Sequence, residues 1–277
     1  MFLKIIAIRL LPLLTIVLGS LLVLRTLWSV LASRKIEWKE FKPLDLDLLD
    51  MVLLISGGFV VLGEVISPLF SITLVESVAS NLSIELTQSL KIFFGYLFMA
   101  IPPLGIIYYQ IKSFEKKIIL KKDYFQFNFL PIKDSFFQGF KGFLMIIPFV
   151  LLVSLIMNLL VDNQNGSNPL LEIVLNSNNY LSFLLLFLTT TFLAPIFEEV
   201  IFRGVLLPIL SREFGIILGI TISAFIFALA HLSIGEMIPL FTLGIGLGTT
   251  RLISGRLSSS VIMHSLWNGM TFLNLFL

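Results

Sequence analysis

Phe197-Glu198-Glu199-Val200-Ile201-Phe202-Arg203-Gly204 sets two acids and a base inside a stretch that is otherwise hydrocarbon. At helical period Glu199 and Arg203 are four residues apart and share a face, so they can pair, while Glu198 is turned about a quarter turn away. Glu198 is then left without a local partner. A carboxylate in a low-dielectric setting is costly to keep charged unless it finds company elsewhere in the fold. The chain's two histidines, His231 and His264, are the side chains suited to that, and each lies in a later apolar segment.

Composition sets the solvent. A mean hydropathy of +1.01, 57% hydrophobic residues and 13% charged residues in 277 place the chain among integral membrane proteins, because a soluble domain of this size needs more charge to cover its surface. The expected fold class is therefore all-α, a polytopic transmembrane bundle of about eight spans. A net charge of +2, with no basic cluster interleaved with aromatics, argues against nucleic acid as a partner. The absence of cysteine removes disulfides, thiolate metal sites and cysteine nucleophiles.

Each span needs about 20 apolar residues, and candidate stretches fall near 5–24, 48–68, 91–110, 138–161, 181–203, 214–232, 235–252 and 258–277. The first lacks a small-residue cleavage site and reads as a retained span. Basic loops mark the cytoplasmic side. Arg25, Arg34, Lys35, Lys39 and Lys42 follow the first span, and Lys112, Lys116, Lys117, Lys121 and Lys122 follow the third. Loops two and four carry Glu76, Glu85, Asp162 and Glu172 instead and are expected outside. This scheme puts the N-terminus outside, against Lys4 and Arg9. The run from Lys112 to Lys133, with Phe125, Phe127, Phe129 and Leu130 among its lysines, reads either as an element lying in the headgroup plane or as a plain loop.

Between Asp162 and Asn179 the composition turns to Asn, Ser and Gly, which marks a boundary. An N-terminal half, residues 1–161, is thereby set off from a C-terminal half, residues 180–277. Gly244 and Gly248 in the seventh span form a small-xxx-small pair that allows close helix packing. A nucleotide-loop reading of these glycines fails for want of a preceding strand and a following lysine. Glu64 is a further acid inside a span, able to face a polar cavity or the outer interface. A long helix from about Leu181 to Leu210, bent at Pro195, would carry Glu198 toward the middle of the membrane.

The ionisable groups fall into three short motifs on separate spans: Glu198-Glu199-x-x-x-Arg203, Phe227-x-x-x-His231 and His264-x-x-x-Asn268. Four-residue spacing puts His264 and Asn268 on one helix face and sets Phe227 one turn before His231, able to screen it from lipid. Each has a plainer reading as well. Glu199 with Arg203 is the least costly way to hold either charge in a membrane, a lone histidine can be a satisfied packing residue, and asparagine commonly bonds helix to helix. Against these stands the use of both histidines in apolar spans beside the acidic motif, since polar groups inside spans usually face the bundle interior and serve function.

The order EExxxR, FxxxH, HxxxN in successive hydrophobic spans resembles the CAAX-protease and bacteriocin-processing (Abi) family of intramembrane endopeptidases. The resemblance covers roughly residues 181–275 and does not extend to the N-terminal half. It implies peptide-bond hydrolysis in a membrane-associated peptide or protein. In chemical terms Glu198 would be the general base on a water that His231 orients, His264 and Asn268 would hold the oxyanion, and Glu199, Arg203 and Phe227 would support them; the resemblance implies the same roles for Glu198, His231, His264 and Asn268. A rival mechanism places a zinc ion on His231, His264 and Glu198, although an HExxH helix is absent. Two non-enzymatic readings compete: a peptide-binding immunity or scaffold protein, and a transporter relaying protons. Transport would lead one to expect matching halves, and no such repeat is evident. A bacterial plasma membrane is the expected location.

Overall fold

The computed structural model describes residues 11–32, 36, 38–39, 48–78, 82–115, 131–160 and 179–275. Several sequence expectations lie outside these residues: the basic positions 34–35, 42, 116–117 and 121–122, the aromatic run 125–130, and the polar stretch 162–178. The side chains of Glu64 and Lys112 lie outside them too.

The described residues form an all-α bundle, with no strand among them. In chain order the helices are α1 (Leu11–Leu31), α2 (48–78), α3 (Ile84–Glu115), α4 (Ile132–Leu160), α5 (Tyr180–Phe214), α6 (Ile216–Ala230), α7 (Met237–Ser254) and α8 (Leu257–Asn274). Five of them, α1, α3, α4, α5 and α7, contain a stretch long and apolar enough to cross a bilayer. α2, like α5, is built of consecutive segments with changing turn width, here of 6, 13 and 12 residues; two others fall short for identifiable reasons. α6 has only 15 residues, and α8 spends hydropathy on Ser258–Ser260, His264 and Asn268. With several such helices the protein is an integral, multi-pass membrane protein.

The element that positions everything else is α5. Asn179 caps its start, accepting hydrogen bonds from the Leu181 and Ser182 backbone N–H groups, a role suited to its short polar side chain. Gly215, at φ 84°, stops it by entering backbone space that glycine occupies at no steric cost. Between the two, 35 residues run as one continuous helix. It is therefore about 50 Å long, against about 30 Å of hydrocarbon. The helix does not end at Arg203, and Glu198 lies close to its midpoint.

α5 and α6 are an antiparallel pair about Gly215. Glu198 lies 17 residues before that turn and His231 16 after it. At 1.5 Å per residue both stand about 25 Å from the turn, so the length of α5 beyond Arg203 brings acid and imidazole to the same depth.

Around this hairpin pack α7, α8 and α4, with one apolar core running through Phe143, Ile147, Phe197, Ile201, Phe202, Leu206, Phe227, Leu247 and Met263. α3 lies against the first turns of α5, joined by the Ser89–Ser182 hydroxyl pair and by Ser182 Oγ donating to the Glu85 carbonyl. α1 packs on α4. The glycine pair of α7 does what its spacing suggests: a Cβ on Gly244 would stand 2.9 Å from that of Ala224, and Gly248 faces Ile220 of the same helix. Gly246 points the other way, at Ile146 of α4. α7 is thus held closely on two sides.

Candidate active site

Two widened turns interrupt the regular register of α5. In the first, the Ala194 N–H reaches back five residues to the Thr189 carbonyl; in the second, Leu207 N–H does the same to Phe202. Such π-type turns add a residue to the helix and concentrate at functional sites. Glu198 and Glu199 lie between them.

Glu199 is fully buried and anchored from two sides. Arg203, one turn on and equally buried, donates from Nη1 to its Oε1 at 2.8 Å. His264 Nδ1, from α8, lies 2.9 Å from the same oxygen, and Ser260 one turn earlier on α8 lies beside this carboxylate. Arg203 also donates from Nη2 to the Gly244 carbonyl at 3.2 Å and lays its guanidinium over Phe227, 4.4 Å from the ring centre. The close approach of α7 that Gly244 permits therefore serves a second end, since it brings a backbone acceptor to the arginine. Four helices, α5, α6, α7 and α8, meet at one ion pair.

With Glu199 held as a carboxylate by Arg203, Nδ1 of His264 is the donor in their bond, and Nε2 is turned the other way. There it faces Glu198 Oε2 at 3.7 Å, too far for a direct hydrogen bond and within reach of a shared water. Glu198 Oε2 has no hydrogen-bond partner within the protein. Glu199 Oε2 also lacks a hydrogen-bond partner, so the two adjacent acids differ in anchoring: Glu199 is held through Oε1 by Arg203 and His264, whereas Glu198 Oε2 only faces an imidazole.

Phe227 is the hub of the remaining aromatic contacts. Its fully buried ring meets Phe202 edge-on at 5.3 Å, His264 at 5.6 Å and His231 at 4.7 Å. His231 ends α6, with Nδ1 2.8 Å from the Phe227 carbonyl, and its side chain is exposed where the chain turns toward α7. Asn268, one turn after His264, is half-buried and donates from Nδ2 to the Thr190 carbonyl of α5 at 2.9 Å. The structure therefore gathers Glu198, Glu199, Arg203 and His264 in direct succession. His231 is linked to them through Phe227, and Asn268 through its place on α8 and its bond to α5.

Among the described residues no three histidine or acidic side chains form a group spaced to hold a metal ion. Zinc ligation by His231, His264 and Glu198 would need their donor atoms about 2.0–2.2 Å from one point. The residues do not fit that demand as they stand.

Some participants were not legible as such in the sequence. The Gly244 and Thr190 carbonyls and the Ser223 hydroxyl, which donates to the Phe202 carbonyl at 3.2 Å, are backbone or small-residue contacts without a side-chain signature. The one usable signal was Pro195, whose missing N–H must leave a carbonyl of α5 in need of another donor.

Residues 180–270 match the family model described as type II CAAX prenyl endopeptidase Rce1-like, in accord with the family that the three motifs resemble. Comparison with curated proteins and with solved structures finds no match.

Proposed function

We propose, from the match of residues 180–270 to a family of CAAX prenyl endopeptidases, that this chain is an intramembrane endopeptidase hydrolysing a peptide bond in a membrane-associated peptide or protein. Residues 180–277 would form its catalytic core. Residues 1–161 would form a separate membrane half whose last helix, α4, walls that core. The observation that carries the reading is the difference in anchoring between Glu199, held through Oε1 by Arg203 and His264, and Glu198, whose unpartnered Oε2 stands 3.7 Å from His264 Nε2.

Amide hydrolysis needs a water made nucleophilic and a place for the oxyanion. In our reading Glu198 Oε2 takes the proton of a water that enters beside it, and His231, at the same depth on α6, orients that water. The water oxygen attacks the scissile carbonyl carbon, and the carbonyl electron pair moves onto its oxygen. His264 Nε2–H and the second N–H of the Asn268 carboxamide receive that charge. Collapse of the tetrahedral intermediate expels the amine, which takes the proton back from Glu198. Phe227 keeps the wall between the imidazoles apolar, and Glu199 with Arg203 fixes the rotamer of His264.

The test is a comparison of the membrane peptidome from cells carrying the wild-type chain or Glu198→Gln, preferably in a bacterial host, since a bacterial plasma membrane is the proposed setting. Fragments present only with the wild type, sharing a cleavage site, are the expected result and identify the substrate. Identical peptidomes, with peptides that co-purify equally with both chains, would leave only a binding role.

A further inference from the structure

The Thr190 carbonyl sits inside a helix yet has lost its usual backbone donors. Its i+4 donor, the Ala194 N–H, is taken by Thr189 through the widened turn. Its i+5 donor would be residue 195, and Pro195 has no N–H. A carbonyl left in this way inside a membrane helix, here half-buried, demands a partner. The partner comes from another helix: Asn268 Nδ2 lies 2.9 Å from Thr190 O. Next to it Gly269 rests on Thr191, where an added Cβ would stand 3.3 Å from the threonine methyl, so α8 approaches α5 closely at this level.

We infer that Asn268 is a positioning residue, whose carboxamide replaces the N–H that Pro195 lacks and thereby pins the first widened turn of α5 to α8. The register of everything downstream on α5 depends on that turn. Losing the extra residue it contains would rotate Glu198 and Glu199 by about 100° relative to α8 and part Glu199 from His264, which lies one turn before Asn268 on α8. The clamp is a statement about folding geometry and stands by itself. Its consequence for cleavage rests on the proposed function, where the same carboxamide keeps its second N–H for the oxyanion.

The experiment is a double-mutant cycle on the full chain in detergent, with Asn268→Ala, Pro195→Ala and the double variant. Thermal unfolding and amide exchange over residues 189–199 are followed first. Asn268→Ala should lower Tm by about 3–8 °C and speed exchange across that stretch. In the Pro195→Ala background, where residue 195 can donate to Thr190 itself, the same substitution should lower Tm by less than half as much. Equal Tm costs in both backgrounds, or no change in exchange, would overturn the clamp whether or not the chain is a protease. Should Asn268→Ala fail to fold, the clamp still requires the double variant to fold, and Asn268→Leu, which keeps the volume without the donor, to behave like Asn268→Ala. Once a substrate is in hand, kcat separates the duties: the double variant should recover at least about fivefold over Asn268→Ala, about a 1 kcal/mol change in barrier. The remaining deficit would measure the oxyanion contact. No recovery of kcat alongside recovered Tm would confine Asn268's part in the reaction to the oxyanion.

Discussion

His264 Nδ1 and Glu199 Oε1 are 2.9 Å apart in a fully buried setting, and the same carboxylate oxygen accepts from Arg203 at 2.8 Å. A carboxylate shared in this way cannot be released singly. Arg203→Met would leave Glu199 buried with one partner, and breaking a buried pair from one side costs about 3–5 kcal/mol. The double variant Glu199→Gln/Arg203→Met removes both charges and should recover much of that loss. Arg203→Lys should resemble Arg203→Met, because a single ammonium cannot serve Glu199, the Gly244 carbonyl and the Phe227 face together. Thermal unfolding of the four proteins in detergent checks this. A double variant no better than Arg203→Met would show that the pair is not the unit that matters.

Glu198 makes the opposite prediction. Its Oε2 has no hydrogen-bond partner in the protein, so Glu198→Gln, which keeps the shape, should change Tm by no more than about 1 kcal/mol in equivalent stability. On the proposed function the same change removes the base, and cleavage should fall by about 10²–10⁴-fold. The two neighbours thus separate: loss at 198 costs activity, loss at 199 costs the fold as well. Cleavage by the wild type should also survive exhaustive chelation, since His231, His264 and Glu198 are not gathered as a ligand set.

These contrasts show how far the sequence could be read. Spacing alone paired Glu199 with Arg203 and put His264 and Asn268 on one face, because helical period is a property of the backbone. Pro195 and the apolar run to Leu210 pointed to a long α5, and with it to Glu198 near mid-helix. Period could not, however, assign the two acids their partners in space. That depends on the widened turns, whose register is set by Pro195, by Asn268 reaching from α8 and by Ser223 reaching from α6, contacts between residues 21 to 78 positions apart. The exposure of His231 was equally out of reach, since it follows from α6 ending after only 15 residues. Hydropathy, which favours long stretches, had extended that span to 232.

The glycines of α7 differ in the space behind them. Gly244→Ala would place a methyl 2.9 Å from the Ala224 Cβ and 3.0 Å from its Cα, forcing α6 and α7 apart and disturbing the carbonyl that Arg203 uses. A cost of about 1–3 kcal/mol is expected. At Gly248 the nearest atom to such a methyl is 3.4 Å away, on the flexible Ile220 side chain, and the intrinsic preference of helices for alanine favours the change by up to about 1 kcal/mol. Gly248→Ala should therefore be neutral or stabilising. Unfolding midpoints for the two variants of opposite sign would bear this out, and equal losses would mean that both positions are packed to the same limit.

Leu232 offers a substitution that should stabilise the chain while burying nothing. It follows His231 with φ at 52°, the one non-glycine residue at positive φ among those described, and is 89% exposed. Leucine there carries the left-handed penalty of about 1–2 kcal/mol and has little packing to lose. Asparagine tolerates this backbone region through local hydrogen bonding. Leu232→Asn should accordingly raise the unfolding midpoint in detergent, by an amount equivalent to about 0.5–1 kcal/mol. Leu232→Gly should gain less, because glycine also frees the unfolded chain. If the isolated protein follows this order while the protein in bilayers loses stability on Leu232→Asn, the leucine is held in its strained conformation by contact with lipid, and the turn beside His231 lies at the membrane surface.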